Sequence, residues 1–292
     1  MTAKTYTNEQ IREFHADYLA LGNRSIPAFA KERGLNSSSL RTGFKRLNLE
    51  IIPQEITRRK FPINDKFFEQ IDTEEKAYIL GLLYADGCNH EEHHKVELSL
   101  DKDDEDIVIK VSKILLFGNV DVKEYHQKNN DKKRVCLYLI SQKLSDDLKR
   151  LGCVARKTHV LKFPQLPTPL RHHFIRGYFD GDGMLTITER LMKNCKNKSR
   201  VANFSIVSTM EMLEEIGVHF TKLGVRFDIR KRHKKRKNNN YTLRISGNQQ
   251  IKTVCDYLYQ DSNIFLNRKQ QVYLQLIELS KSFRKKYRFN RG

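Results

Sequence analysis

One eleven-residue pattern occurs twice in this chain. "AYILGLLYADG" occupies residues 77–87 and "HFIRGYFDGDG" occupies 173–183, and the two align without a gap. Gly81 falls on Gly177, Ala85 on Gly181, Asp86 on Asp182 and Gly87 on Gly183. The first copy is apolar from Ala77 to Ala85, far short of the roughly 20 residues that cross a bilayer. A helix that is apolar all round must be buried on every side. The natural place to bury it is against its echo at 173–183, at an interface between two repeats. Gly81 and Ala85 lie four residues apart, hence on one helix face, as do Gly177 and Gly181. Without bulk there, the helices can approach more closely than the usual ~8–10 Å between axes. Tyr78, Leu82 and Leu83, with Phe174, Tyr178 and Phe179, are then expected to point into each repeat's own core.

This packing sets Asp86 and Asp182 side by side at two helix C-termini. Those ends already carry partial negative charge, so paired carboxylates there require a cation. The fitting cation is divalent and hard, Mg²⁺ before others. Its ligands would be Asp86, Asp182, the terminal carbonyls of Ala85 and Gly181, waters and substrate phosphate oxygens. Such an ion polarises a phosphate, lowers the pKa of an attacking water and steadies a departing 3′ oxygen, which is the apparatus of phosphodiester hydrolysis. Asp-Gly is also a common helix stop. Capping does not explain two copies with small residues at the same offset.

The sequence around the two copies repeats as well. After Gly87 come strand-like "HKVELSL", helical "DEDIVIKVSKILLFG", strand-like "VDVKEYHQ" and "RVCLYLIS", and helical "QKLSDDLKRLG". After Gly183 the same order recurs from "LTITER" to "QQIKTVCDYLYQ". The expected class is α+β: two pseudo-symmetric αββαββα repeats about a pseudo-twofold axis, preceded by a small helical domain. The expected divisions are a helix-turn-helix-like domain at 1–50, a linker at 51–71, repeats at 72–163 and 168–285, and a basic tail at 286–292. "FPQLPTP", 163–169, is the joint. In the helical domain, Ser25 is a natural N-cap, Gly22 and Gly34 are stops, and the third helix carries Arg41 and Lys45, placed to meet DNA.

Charge suggests a polyanionic partner, nucleic acid before an acidic membrane surface. Fifty-four Lys and Arg against 35 Asp and Glu leave +19, with a pI near 9.7, which suits nucleic acid. In "VRFDIRKRHKKRKNNNYTLRIS", apolar Val225, Phe227 and Ile229 alternate with Arg226, Asp228 and Arg230, and Leu243 and Ile245 with Thr242 and Arg244. One face packs and the other, with Arg232, is cationic; a two-stranded ribbon of this kind can read base edges in the major groove. Lys123 and Tyr125 suggest a matching strand in the first repeat. The loop "KKRKNNN", the run Arg58-Arg59-Lys60 and the C-terminal tail read as phosphate contacts. Five cysteines form no CxxC pair and the N-terminus lacks a secretory apolar core. The expectation is a reduced intracellular protein, in cytoplasm, nucleoid or an organelle. "CNHEEHH", 88–94, has no zinc-module spacing.

"YILGLLYADG" and "FIRGYFDGDG" resemble the signature helices of the LAGLIDADG homing endonucleases, single-chain class, over roughly 72–285. The resemblance implies a monomer whose antiparallel sheets form a DNA-binding saddle. It implies cleavage of both strands of a long double-stranded DNA site across the minor groove, leaving 3′ overhangs. It implies about two to three Mg²⁺ ions, for which Mn²⁺ can substitute. Asp86 and Asp182 match the family's metal-binding acidic positions. The family also sets a basic residue late in each repeat, matched by Lys157, with Arg156 as competitor, and by Lys269, where "RKQ" opens the final helix. Tyr84 departs from the pattern where Asp180 keeps it, and Arg176 is a polar intruder expected to face a linker or solvent. A catalytically silent DNA-binding regulator and an intron RNA maturase are the alternatives on the same scaffold. With no splicing-domain residues flanking the body, the expectation is a free-standing or intron-encoded protein.

Overall fold

A computed structural model describes residues 5–21, 24–126, 132–191, 198–232 and 239–289, with side chains as far as Lys281. Gly22, Cys195, most of the "KKRKNNN" loop and the last residues of the basic tail lie outside the described residues. The chain divides into two compact units, Met1–Ile63 and Asn64–Gly292.

In the first unit, α1 (Asn8–Ala20), α2 (Ile26–Glu32) and α3 (Ser37–Arg46) are followed by a short α4 (Gln54–Thr57). Each long helix begins on a side-chain cap: Thr7 in a capping box with Gln10, then Ser25, then Asn36. Ile11, Tyr18, Phe29, Leu40 and Phe44 form the core. A Cβ on Gly43 would meet Ile11 Cδ1 at 2.5 Å, so glycine lets α3 close on α1. Gly34, at φ +65, makes the turn between α2 and α3. Stretch 51–71, expected as a linker, carries four buried apolar side chains. Ile52 is buried in the first unit, while Phe67, Phe68 and Ile71 are buried in the second, because these side chains have apolar surface to hide.

The second unit holds both repeats. The first is α5 (Glu74–Asp86), β1 (Gly87–His90), β2 (Lys95–Asp101), α6 (Glu105–Leu115), β3 (Val122–His126), β4 (Lys133–Ile140) and α7 (Gln142–Arg150). The second is α8 (Arg171–Asp182), β5 (Gly183–Leu191), β6 (Lys198–Ser208), α9 (Met210–Lys222), β7 (Phe227–Lys231), β8 (Tyr241–Ile245) and α10 (Asn248–Tyr259), followed by α11 (Asn267–Phe289). Each repeat forms one antiparallel sheet, ordered β1-β2-β4-β3 and β5-β6-β8-β7. Strand alternation sorts the faces. Leu185, Phe204 and Ile245 share one cross-strand row and are buried, whereas Met184, Ser205 and Arg244 share the next on the opposite face. Helices cover the apolar faces, so the polar faces are the open ones.

Candidate active site

Helices α5 and α8 pack directly on each other, and their glycines explain how. A Cβ on Gly81 would run into the Phe174 carbonyl and lie 2.7 Å from Tyr178 N; one on Gly177 would run into the Tyr78 carbonyl. The helices therefore meet backbone to backbone. A Cβ on Gly181 would lie 2.5 Å from Asp86 Oδ2. That contact places the Asp86 carboxylate against the last turn of α8, the turn that carries Asp182. Gly87 and Gly183 have ordinary φ values of −85° and −91°. Glycine is required there for space: a Cβ on Gly87 would sit 2.7 Å from Leu83 Cα, and one on Gly183 would enter the Phe179 ring.

Both carboxylates are raised, chiefly by burial. Burial, then the Asp182 charge, pushes Asp86 up to about 6, against the pull of Lys269, Arg134 and Lys157. Asp182 is also raised by burial, with the Tyr178 hydroxyl, Lys157 and Lys269 pulling it back. Among the described residues, no group of three or more His, Cys, Asp or Glu side chains could hold a metal. A cation here would thus combine the two carboxylates with backbone, solvent or substrate oxygens. The donor set is all oxygen, and a divalent cation would relieve both the mutual repulsion and the helix-end charge, so the residues fit Mg²⁺.

Both expected lysines reach the helix ends. Lys157, in a short 3-10 turn, buries its side chain and donates to the Gly87 carbonyl. Lys269, opening α11, donates to the carbonyls of Phe179, Asp180 (2.8 Å) and Gly183 (2.6 Å). Gly87 and Gly183 are the aligned glycines, so the lysines occupy equivalent places. Arg156 is exposed, so Lys157 is the residue that turns inward. Burial lowers Lys269 to about 8. A small pocket beside this centre is lined by Lys157, Tyr178, Ser208, Asp182 and Asn240.

Arg176 faces neither a linker nor solvent. It is fully buried and donates to the carbonyls of Ile264 and Leu258 and to Glu74 Oε1 at 2.6 Å. Glu74, from the first turn of α5, also accepts from Asn263 and Ile264, so this buried ion pair ties the repeats together. The bulky helix residues do not all stay in their own repeat: Tyr78 donates across to Asp180 at 2.8 Å.

On the second sheet's open face, Arg226, Arg230, Arg232 and Arg244 are exposed, with Arg226 just before β7. Asp228 lies 2.6 Å from Arg230 Nε. Thr242 is buried at 8% exposure between neighbouring strands, so it does not present its hydroxyl to a groove. On the first sheet, Lys123 and Tyr125 share the open face, where Tyr125 bonds Ser99 at 2.8 Å and Lys123 lies over the Tyr138 ring. Sequence reasoning missed Arg134, which donates to Ser99 and Asp101 beside this row; the alternation Arg134, Cys136, Tyr138 carries the signal. In the first unit, Ser38, Arg41, Thr42 and Lys45 form one exposed row on α3.

Residues 170–259, from the start of α8 to the end of α10, match the family model described as a LAGLIDADG-like domain. No curated protein matches the chain. Among solved structures, the meganuclease I-SmaMI bound to uncleaveable DNA is similar at 11% identity, over 72% of this chain and 91% of that one, with a TM-score of 0.49. The I-LtrWI LAGLIDADG homing endonuclease bound to target DNA is similar at 12% identity, over 75% and 92%, with a TM-score of 0.48.

Proposed function

We propose that this chain is a Mg²⁺-dependent, site-specific endonuclease that cuts both strands of a long double-stranded DNA site, leaves 3′ overhangs and acts as a monomer. The observation that carries the reading is the meeting of Asp86 and Asp182 at two glycine-faced helix ends, each end held by a lysine. The LAGLIDADG-like match over the second repeat supports it. Asp86, Asp182 and the Ala85 and Gly181 carbonyls would hold the metal. When bound, the ion supplies Lewis acidity toward a phosphodiester and an acidified water. The chain's own residues do the rest. Gly81, Ala85, Gly177 and Gly181 set the spacing of the carboxylates, and Lys157 and Lys269 steady the helix ends that bear them. Arg226, Asp228, Arg230, Arg232 and Arg244, with Lys123 and Tyr125, contact bases and phosphates from the open sheet faces. Arg41 and Lys45 add contacts from the first unit. The described cysteines are unpaired, in keeping with work in a reducing compartment.

The test is cleavage selection from a randomised duplex library with Mg²⁺, followed by Asp86→Asn and Asp182→Asn on the selected duplex. Each substitution should abolish double-strand cutting and keep DNA affinity within about threefold, because binding rests on the sheets. Full cutting by either variant sinks the reading.

A further inference from the structure

Arg176 meets a histidine as well as its carboxylate. Its Nη1 lies 2.8 Å from His173 Nδ1, one helical turn back on α8. A guanidinium only donates, so this hydrogen bond requires a bare lone pair on Nδ1, which the neutral imidazole offers and the imidazolium does not. The same guanidinium holds Glu74 Oε1 and the Leu258 and Ile264 carbonyls, and Glu74 holds Asn263 and Ile264 in turn. The 258–266 turn is thus fixed from both repeats. It leads directly into α11, where Leu266 N donates to Asp180 and Lys269 reaches the end of α8. His173 therefore heads a chain of contacts that finishes at the turn carrying Asp182. The surroundings of His173 oppose a further positive charge. Its own helix supplies Arg176 and the His172 ring, whose centroid is 3.7 Å away. From α5 comes an anion, Glu74, with Oε1 3.9 Å from Nδ1 and already engaged by Arg176. Beyond His172 lie Tyr257 of α10 and, bonded to its hydroxyl, His219 of α9, which faces Arg171, Lys222 and Glu215. Burial first, then Arg176 and His172, bring His173 from the ordinary 6.5 down to about 4, against the pull of Glu74. His172 and His219 are lowered too, chiefly by burial.

We propose that His173 is a proton-operated latch on the contact between the two repeats. Neutral, it accepts from Arg176 and keeps the guanidinium on Glu74 and the 258–266 turn. Protonated, it turns an N–H and a positive charge toward Arg176, and Glu74 is drawn from the guanidinium to the imidazolium. The turn loosens, and with it the seat of Lys269. His173 is a positioning residue: it acts through Arg176, Glu74 and the turn. The folded chain gives up this proton where the unfolded side chain still holds it. The latch therefore contributes fully above about pH 6.5 and is lost as pH falls toward about 4. The latch stands on the fold alone, whereas its consequence for cleavage rests on the endonuclease reading.

Peptide-resolved hydrogen exchange over residues 258–270 tests the latch without DNA or metal. His173→Asn offers Oδ1 where Nδ1 stands and takes up no proton there. The ratio of wild-type to variant exchange rate should rise about tenfold between about pH 7.5 and about pH 5.5, and a merely structural role for His173 would leave it constant. A rise of about threefold or more supports the latch and a smaller one overturns it. Should His173→Asn not fold, the imidazole nitrogen spectrum of the wild-type chain decides. Protonation of His173 should appear together with loss of protection at 258–270 and ahead of global unfolding. Protonation with the segment still protected, or a segment that opens only with the whole chain, overturns the proposal. On the duplex selected with Mg²⁺, the wild-type cutting rate relative to His173→Asn should fall about threefold or more over the same pH step. An unchanged relative rate overturns the link to Lys269. A wild-type chain that cuts no duplex instead overturns the endonuclease reading and leaves the exchange result to judge the latch.

Discussion

Tyr84 stands where the other copy has Asp180, and the structure shows the exchange to be paired. Tyr78 aligns with Phe174, as Tyr84 does with Asp180. On one side of the helix pair the Tyr78 hydroxyl meets the Asp180 carboxylate; on the other, the Phe174 ring meets the Tyr84 ring edge-on, centroids 5.1 Å apart. Polar matches polar and ring matches ring. Tyr84 also donates to the Leu151 carbonyl, while Asp180 accepts from Tyr259 at 2.5 Å and from Leu266 N. Tyr84→Asp alone would bury a carboxylate against Phe174 and cost about 3 kcal/mol or more, with partial rescue by Phe174→Tyr. Denaturant unfolding of the four chains in this cycle measures the rescue. Neither helix read alone could reveal the pairing, because each partner lies 102 or 90 residues away in sequence. The carboxylate pair makes a second prediction. Asp86 sits near 6 in the folded chain against 3.8 when free, so the folded state binds its proton more tightly. Its penalty is absent below about pH 4, grows through about pH 6 and is full above that. Without metal, Asp86→Asn should therefore raise stability at pH 7, by on the order of 2 kcal/mol, and change little near pH 4. Thermal melts with a chelator at both pH values decide it.

Among the elements, α5 and α8 carry the most consequence. Gly81→Ala or Gly177→Ala drives a methyl into the partner helix's backbone, which cannot rotate aside as a side chain can. Each should cost about 2–4 kcal/mol and, by spreading the carboxylates, slow cleavage more than it weakens DNA binding. The repeat itself and the small faces at four-residue spacing were legible in the sequence. The function of Arg176 was not. A basic residue in an apolar helix reads as exposed, yet here it pairs with Glu74 and two carbonyls within the fold. Arg176→Met should cost about 3–5 kcal/mol by stranding Glu74, and adding Glu74→Gln should recover part of it in equilibrium unfolding. The hairpin strands were legible through their alternation, but Thr242 was misplaced. Period-two patterning gives the face of a residue, whereas its depth depends on the strands on either side.

At the scale of the whole molecule, the chain's net charge is +19, and its exposed cations include those on α3, on the β7–β8 hairpin and Lys123 on the first sheet. Binding to duplex should therefore weaken steeply with salt. Neutralising Arg230 and Arg244 together should flatten the slope of log K against log salt by about two. Titrations between 50 and 300 mM salt, roughly the range over which counterion release is read, check this. In Arg41→Ala/Lys45→Ala the slope should also flatten by about two if α3 lies on phosphates, with strand-cutting rates at saturating DNA unchanged. The chain divides into compact units at Ile63 and Asn64, inside the stretch read from sequence as a linker at 51–71. A stretch with prolines and a basic run reads as a connector, yet its apolar residues are divided between two cores.

By itself the sequence determined the doubled helix, the order of elements in each repeat, the acid at each helix end and the basic character of the surface. These follow from local periodicity and composition, which a linear chain carries openly. Only the tertiary structure decided which carbonyls each lysine meets, that Arg176 lies inside and that Tyr84 answers Phe174. Those facts rest on contacts between residues distant in sequence. Their energies depend on burial and on which partners remain, and neither exists until the repeats have closed on one another.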